Sequence, residues 1–185
     1  MRVRVRQLVP CSLMLVRNQH VVVFGAERPF AFHAMEALLA LGANVLAAAP
    51  LRTELESLRA QLGQHHRLNV AECGAADPEG PVRLLEATHR RGHLDAILHV
   101  TDNAITRDLE VANLSRAIAR ALPELPVRVV FASAVEAGGE RTLGHDPLAR
   151  DVGTRDFAAA LVYDPEHPKP ALYTMLSLLS PTGVT

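Results

Sequence analysis

The stretch from residue 21 to residue 49 constrains the fold of this chain more than any other. Val21, Val22, Val23 and Phe24 form an unbroken apolar run, which suits a strand buried on both faces. Gly25 ends that run. The alanine- and leucine-rich residues 34–41 then read as helix up to Gly42, which stands where a helix C-cap belongs. Asn44–Ala49 is a second apolar run. Strand, glycine turn, helix and strand within about thirty residues make a βαβ unit.

The same rhythm continues. After Pro50, Thr53 offers an N-cap for a helix over 54–62, with Leu55, Leu58 and Leu62 on one face and Gly63 at its end. Residues 67–72 are a third strand, and Asp77-Pro78 reads as the entry to a helix over 82–91 closed by Gly92. A fourth strand spans 94–100, an exit loop follows over 101–107, and the next helix runs 109–122. Pro123 and Pro126 bracket the turn into a fifth strand, 127–133. Strands alternating with helices over short connections predict one α/β domain: a three-layer, doubly wound, Rossmann-like parallel sheet. Beyond Ser133 the pattern predicts a helix centred on 156–162 and a sixth strand over 171–179. Residues 1–19 alternate basic and apolar side chains and read as a flexible extension, so the domain is placed at 20–185.

Composition excludes several functions. Half the residues (49%) are apolar and 21% are charged, which argues against disorder. Tryptophan is absent and aromatics make up 4%, so the core must be built from Leu, Val and Ala. A net charge of −1 gives no electrostatic reason to bind nucleic acid or an anionic membrane. No apolar run approaches the roughly 18 residues that span a bilayer. The two cysteines, Cys11 and Cys73, form neither a disulfide framework nor a metal-ligand spacing, which fits a reduced, cytoplasmic setting. The nine histidines are scattered, with His65-His66 in a polar loop, and no metal site is expected.

In folds of this kind the first βα turn and the carboxyl ends of the strands face a ligand crevice. Gly25 permits the tight turn, Ala26 follows it, and Pro29 suits the first position of a helix. Residues 23–31 lie where a Thr-Gly-x-x-x-Gly-x-Gly turn belongs in the short-chain dehydrogenase/reductase family, which the chain resembles over roughly residues 20–185. Residues 94–101 stand at its Leu-Asp-x-Leu-Val-Asn-Asn-Ala strand, Asn113 near its helix-four asparagine, and Ser133 at its catalytic serine. Ser180-Pro181-Thr182-Gly183 resembles its Pro-Gly-x-x-x-Thr loop.

The resemblance implies an oxidoreductase that binds a nicotinamide dinucleotide through Gly25, Ala26, Arg28, Phe30, Arg52, His99, Thr101 and Pro181. Arg28, helped by Arg52, implies NADP over NAD, because the second strand ends in Ala47, Ala48 and Ala49 with no acid for a ribose. The implied substrate is a carbonyl compound or another small molecule, and the implied assembly is a homo-oligomer, for which Leu109, Leu114, Ile118 and Leu122 are candidate surface residues that can equally be core.

The departures are equally specific. Pro29 offers no N–H and Ala31 adds a methyl where the family has glycines, although the helix dipole still favours an anion. The family's catalytic tyrosine is followed four residues later by lysine. Here Tyr163 and Tyr173 are followed at that spacing by His167 and Ser177. Counting back from Pro181 reaches Asp151 and Arg155, and Asp146 and Arg150 share the spacing; an aspartate cannot act as the phenolic acid at neutral pH. Two readings follow: an NADP(H)-dependent reductase lacking its Tyr/Lys pair, or an inactive pseudoenzyme that binds a dinucleotide or other small ligand and acts as a regulator. A third, a receiver-like signalling domain suggested by residues 122–133, needs an acidic cluster after the first strand, and Phe24-Gly25-Ala26 supplies none.

Overall fold

Apolar runs that cannot bury themselves alone become strands side by side here, each returned to the sheet by a helix. A computed structural model describes residues 16–63, 65–92, 94–102, 104–123, 127–134 and 158–179. In chain order these form β1 (His20–Phe24), α1 (Pro29–Ala40), β2 (Asn44–Ala49), α2 (Arg52–Gln61), β3 (Leu68–Glu72) and α3 (Gly80–Arg91). Then follow β4 (Ala96–Thr101), α4 (Ala104–Ala121), β5 (Arg128–Ala134), β6 (Ala158–Tyr163) and α5 (Lys169–Leu179). The six strands form one sheet in the order β3-β2-β1-β4-β5-β6, every pair parallel. The chain winds outward from β1 to β3 and then crosses back to lay β4 on the other side of β1. That reversal between β1 and β4 is the topological switch point, where open α/β sheets bind ligands. The predicted doubly wound α/β architecture is the one observed.

Two separate apolar clusters sit on the two faces of the sheet. Val21 and Val23 of β1 point to the face covered by α1, α2 and α5, with Met35, Leu38, Leu55, Met175 and Leu179. Val22 and Phe24 point to the other, with Leu85 of α3 and Leu114 and Ile118 of α4. A strand that serves both faces must be apolar at every position, which is why β1 reads as a continuous run.

The structure departs from the sequence reading in several places. Thr53 lies inside the first turn of α2, whose N-cap is Leu51 and carries no side-chain cap bond. α4 begins at Ala104, so most of the exit loop is helical. The last two elements are exchanged: the predicted helix around 156–162 contains strand β6, and the predicted strand over 171–179 is helix α5. Residues 16–19 are not part of a loose extension. Val16 is fully buried, the Asn18 amide donates to the Gly42 carbonyl at 2.9 Å, and the Asn44 amide donates to the Gln19 carbonyl at 2.7 Å. Residues 1–15 lie outside the described residues.

Of the apolar residues expected at an oligomer surface, Leu114, Ile118 and Leu122 are buried in the core; Leu109 is exposed on α4 near Ile105. Among the described residues no helix is long and apolar enough to cross a membrane.

Candidate functional site

The turn after β1 is pressed against β4. Gly25 has φ +73°, and a Cβ there would overlap the Val100 carbonyl oxygen. Glycine is required at this position both by its backbone and by the approach of its neighbour. The Ala26 amide donates to the Ala48 carbonyl at 3.1 Å, and the Arg28 amide closes the turn onto the Gly25 carbonyl at 3.0 Å. Pro29 opens α1, with Phe30 and Ala31 buried behind it.

Arg28 does not reach towards open solvent. Its Nε lies 2.9 Å from Oε1 of Glu27, and its Nη1 donates to Oδ1 of Asp102, immediately beyond β4. Because β1 and β4 are neighbours, with Phe24 beside His99, the Arg28–Asp102 pair bridges the two strand ends across the switch point. Burial pushes the Glu27 carboxyl up, and the nearby Glu54 charge adds to this; its own backbone and Arg28 offset only part. Arg52 is exposed at the start of α2 and pairs with Glu56 one turn on, Nε to Oε1 at 3.0 Å. A cavity of about 530 Å³ opens between α1 and α2, lined by Glu27, Arg28, His33, Thr53, Glu54 and Ser57 among others. Both arginines expected at a 2′-phosphate are thus engaged by acids, and the cavity that Arg28 lines carries two carboxylates.

Beyond this bridge, Phe30 of α1 stacks on Tyr163, the last residue of β6, with ring centroids 4.2 Å apart and planes 18° from parallel. Tyr163 is buried. Burial pushes its phenol up to about 12, the Asp102 charge acts in the same direction, and Arg28 opposes both.

Register separates the remaining candidates from this group. Thr101 stands beside Ser133, and His99 beside Phe131, whose side chain packs on the α3/α4 face. Tyr163 and Phe30 belong to the α1/α5 face. Strand periodicity therefore assigns His99, Thr101 and Ser133 to one side of the sheet and Tyr163, with Phe30 packed on it, to the other. His99 is fully buried, its Nε2 is 3.1 Å from Oε2 of Glu110, and Thr106 Oγ1 donates to Oε1 of the same carboxylate at 2.9 Å. Burial would raise the Glu110 carboxyl, but hydrogen bonds from His99 and Thr106, aided by the charges of His99 and Arg28, hold it below its ordinary value. Among the described residues, the second ring nitrogen of His99, Nδ1, is buried without a hydrogen-bond partner.

Asn113 is buried as well. Its Nδ2 donates to the carbonyls of Ala76 at 3.0 Å and Ala75 at 3.4 Å, so it pins the loop that follows β3. Pro181, Asp146, Arg150, Asp151 and Arg155 lie outside the described residues. Since β6 ends at Tyr163, the connection between β5 and β6 is residues 135–157, a stretch without tyrosine or lysine; the one lysine of the chain is Lys169, in α5. Among the described residues no three His, Cys, Asp or Glu side chains gather as a metal-ligand set.

Sequence reasoning passed over Glu27, Glu54 and Glu110. The signal for Glu27 was present: an acid inside a would-be phosphate turn repels the ligand that such a turn holds. Glu110 follows Thr106 by one helical turn, a spacing that marks a side-chain pair once the helix is known to start at Ala104.

In this arrangement a dinucleotide phosphate would meet no N–H at Pro29 and an Arg28 that already faces the carboxylates of Glu27 and Asp102, while Gly25 and the uncapped first turn of α1 keep the backbone shape of such a site.

No family model matches the sequence, and none of the curated proteins does. Solved structures do. The chain is similar to a short chain dehydrogenase from Mycobacterium smegmatis, with a TM-score of 0.62 and 16% identity over 90% of this chain and 88% of the other. It is similar to RhlG of Pseudomonas aeruginosa, described as an NADP active-site complex, with a TM-score of 0.67 and 16% identity over 92% of each chain. Against FabI from Alistipes finegoldii the TM-score is 0.68, with 14% identity over 91% and 86%. At such identities the likeness is one of fold, and function has to be argued from the site.

Proposed function

We propose that this chain, which folds as the short-chain dehydrogenases do, is a divergent relative of theirs that has lost hydride chemistry and keeps the switch point as a small-ligand site with a regulatory role. The observation that carries the reading is the tyrosine inventory. The chain has two tyrosines, and neither belongs to the connection between β5 and β6. Tyr163 is stacked under Phe30 with its phenol pushed up to about 12, so it holds its proton at neutral pH and has no lysine four residues on to lower it. Tyr173 is exposed on α5.

The ligand best matched to the fold is an anionic one, and NADP(H) is the first candidate because Arg28 lines the α1–α2 cavity, Arg52 opens α2, and the end of β2 offers no acid to a ribose. When bound, such a cofactor would supply a hydride; among the described residues none at the crevice is placed to supply the matching proton. The chain's own groups at the site bind and orient: Arg28 holds negative charge, and Gly25 keeps the turn against β4.

The test is direct. NADPH is titrated into the protein by calorimetry and by its own fluorescence, and a panel of carbonyl substrates is assayed for its oxidation. Weak or moderate binding without turnover is the expected result. Steady turnover of any carbonyl substrate would refute the loss of chemistry.

A further inference from the structure

We propose that Asp102 is an internal anion that competes with a phosphate-bearing ligand for Arg28, so that the crevice between β1 and β4 latches itself shut. The proposal rests on the reading above only for the place at which the ligand binds. Arg28 is the N-cap residue of α1 and has extended backbone (φ −78°, ψ 145°), which projects its side chain from the turn rather than along the helix. Asp102 is the first residue beyond β4, and the two are 74 positions apart in sequence. Their bond spans the two strands between which the winding of the sheet reverses.

The two acids on Arg28 are not equivalent. Glu27 lies against Nε as an ion pair without a hydrogen bond and its side chain is 16% exposed, whereas Asp102 accepts from Nη1 and is 37% exposed. Water reaches Asp102 more readily, so it is the partner that yields when another anion arrives. No side chain caps the first turn of α1 and no acid lies within it, so the positive end of that helix sits beside the same guanidinium. A phosphate entering the crevice would gain Arg28 and the helix end together by displacing one half-exposed carboxylate. Asp102 thereby sets a threshold on ligand binding that the fold alone does not impose.

The experiment compares the full chain with Asp102→Asn, titrating NADPH at low ionic strength. The variant is expected to bind about two- to fivefold tighter, the range open to a partly exposed ion pair. The gain should vanish in the Arg28→Ala/Asp102→Asn double variant and shrink as salt is raised. Asp102→Ser, which also removes the charge, gives the same comparison if the asparagine variant melts early. Equal affinities in the wild type and both charge-removed variants would overturn the latch. So would a gain that survives Arg28→Ala, or no NADPH binding to either variant at millimolar concentration. Turnover of a carbonyl substrate by the wild type would sink the preceding reading and leave the latch standing.

Discussion

The ring of Phe30 lies on that of Tyr163, joining the first turn of α1 to the end of β6, the outermost strand on that side of the sheet. Phe30→Ala should destabilise the fold by about 3–5 kcal/mol, the range for deleting a buried aromatic ring. Phe30→Leu should cost distinctly less. Urea unfolding of the two variants measures this; equal losses would mean that the ring contact itself, and not the volume it fills, carries the stability.

Alkaline pH tests the other half of the pair. A phenol raised to about 12 when folded, against its ordinary value of 10.0, is favoured in its protonated form by the fold. Its contribution is fully present below pH 10 and is lost as pH rises towards 12. The loss is about 3 kcal/mol at most, taking about 1.4 kcal/mol per pH unit. Unfolding midpoints of wild type against Tyr163→Phe over this window should diverge, with the phenylalanine variant the flatter. Parallel curves would place the shift elsewhere.

Two glycines with nearly the same backbone separate strain from contact. Gly25 and Gly63 have φ of +73° and +72°, but a Cβ at Gly63 meets nothing within 4 Å, whereas at Gly25 it overlaps the Val100 carbonyl. Gly63→Ala should cost about 1–2 kcal/mol for the left-handed backbone alone. Gly25→Ala should cost more by at least about 1 kcal/mol, because the turn must also lift away from β4. Equal losses in thermal unfolding would mean that the turn is free to move.

Glu110 predicts an acid limb. Its folded carboxyl titrates below the ordinary 4.5, so the stability it confers is present above that value and is lost as pH falls through the folded value. Glu110→Gln should flatten stability against pH below 4.5. Glu110→Ala should cost about 1–3 kcal/mol at neutral pH, by leaving His99 Nε2 buried without its acceptor. Chemical unfolding from pH 3 to 7 provides the comparison, and a full acid limb in Glu110→Gln would assign it to other carboxylates.

Asn113 should behave as a structural tie. Replacing it with alanine frees two loop carbonyls and should cost about 1–3 kcal/mol. Hydrogen exchange in residues 73–79 should rise with it; unchanged exchange there would show that the loop holds itself.

The first five strands were legible because each is a short run rich in apolar residues with a glycine or proline within a few positions of one end, and in β1 and β4 burial on both faces makes the run nearly continuous. β2 was read correctly although three of its six residues are alanine, since Pro50 stops it and the βαβ frame demands a strand there. The same alanine-rich chemistry misled at β6, an edge strand of three alanines with no such frame around it. In α5 the apolar run hid a helical spacing: Ala171, Met175 and Leu179 are buried four residues apart. The site was less legible than the fold. Gly25 and Arg28 could be named from their positions, but the carboxylate that occupies Arg28 lies 74 residues away and meets it only once β4 lies beside β1. Pairing across a sheet leaves no mark in local spacing.

The two faces of the sheet carry cores that share no side chain, although β1 feeds both. Mutational tolerance is therefore divided. Substitutions around Met35 and around Leu114 should combine additively in their effects on stability, because the backbone of the sheet separates them. A lineage could rebuild the packing on the α1 side without disturbing the packing that holds α3 to α4.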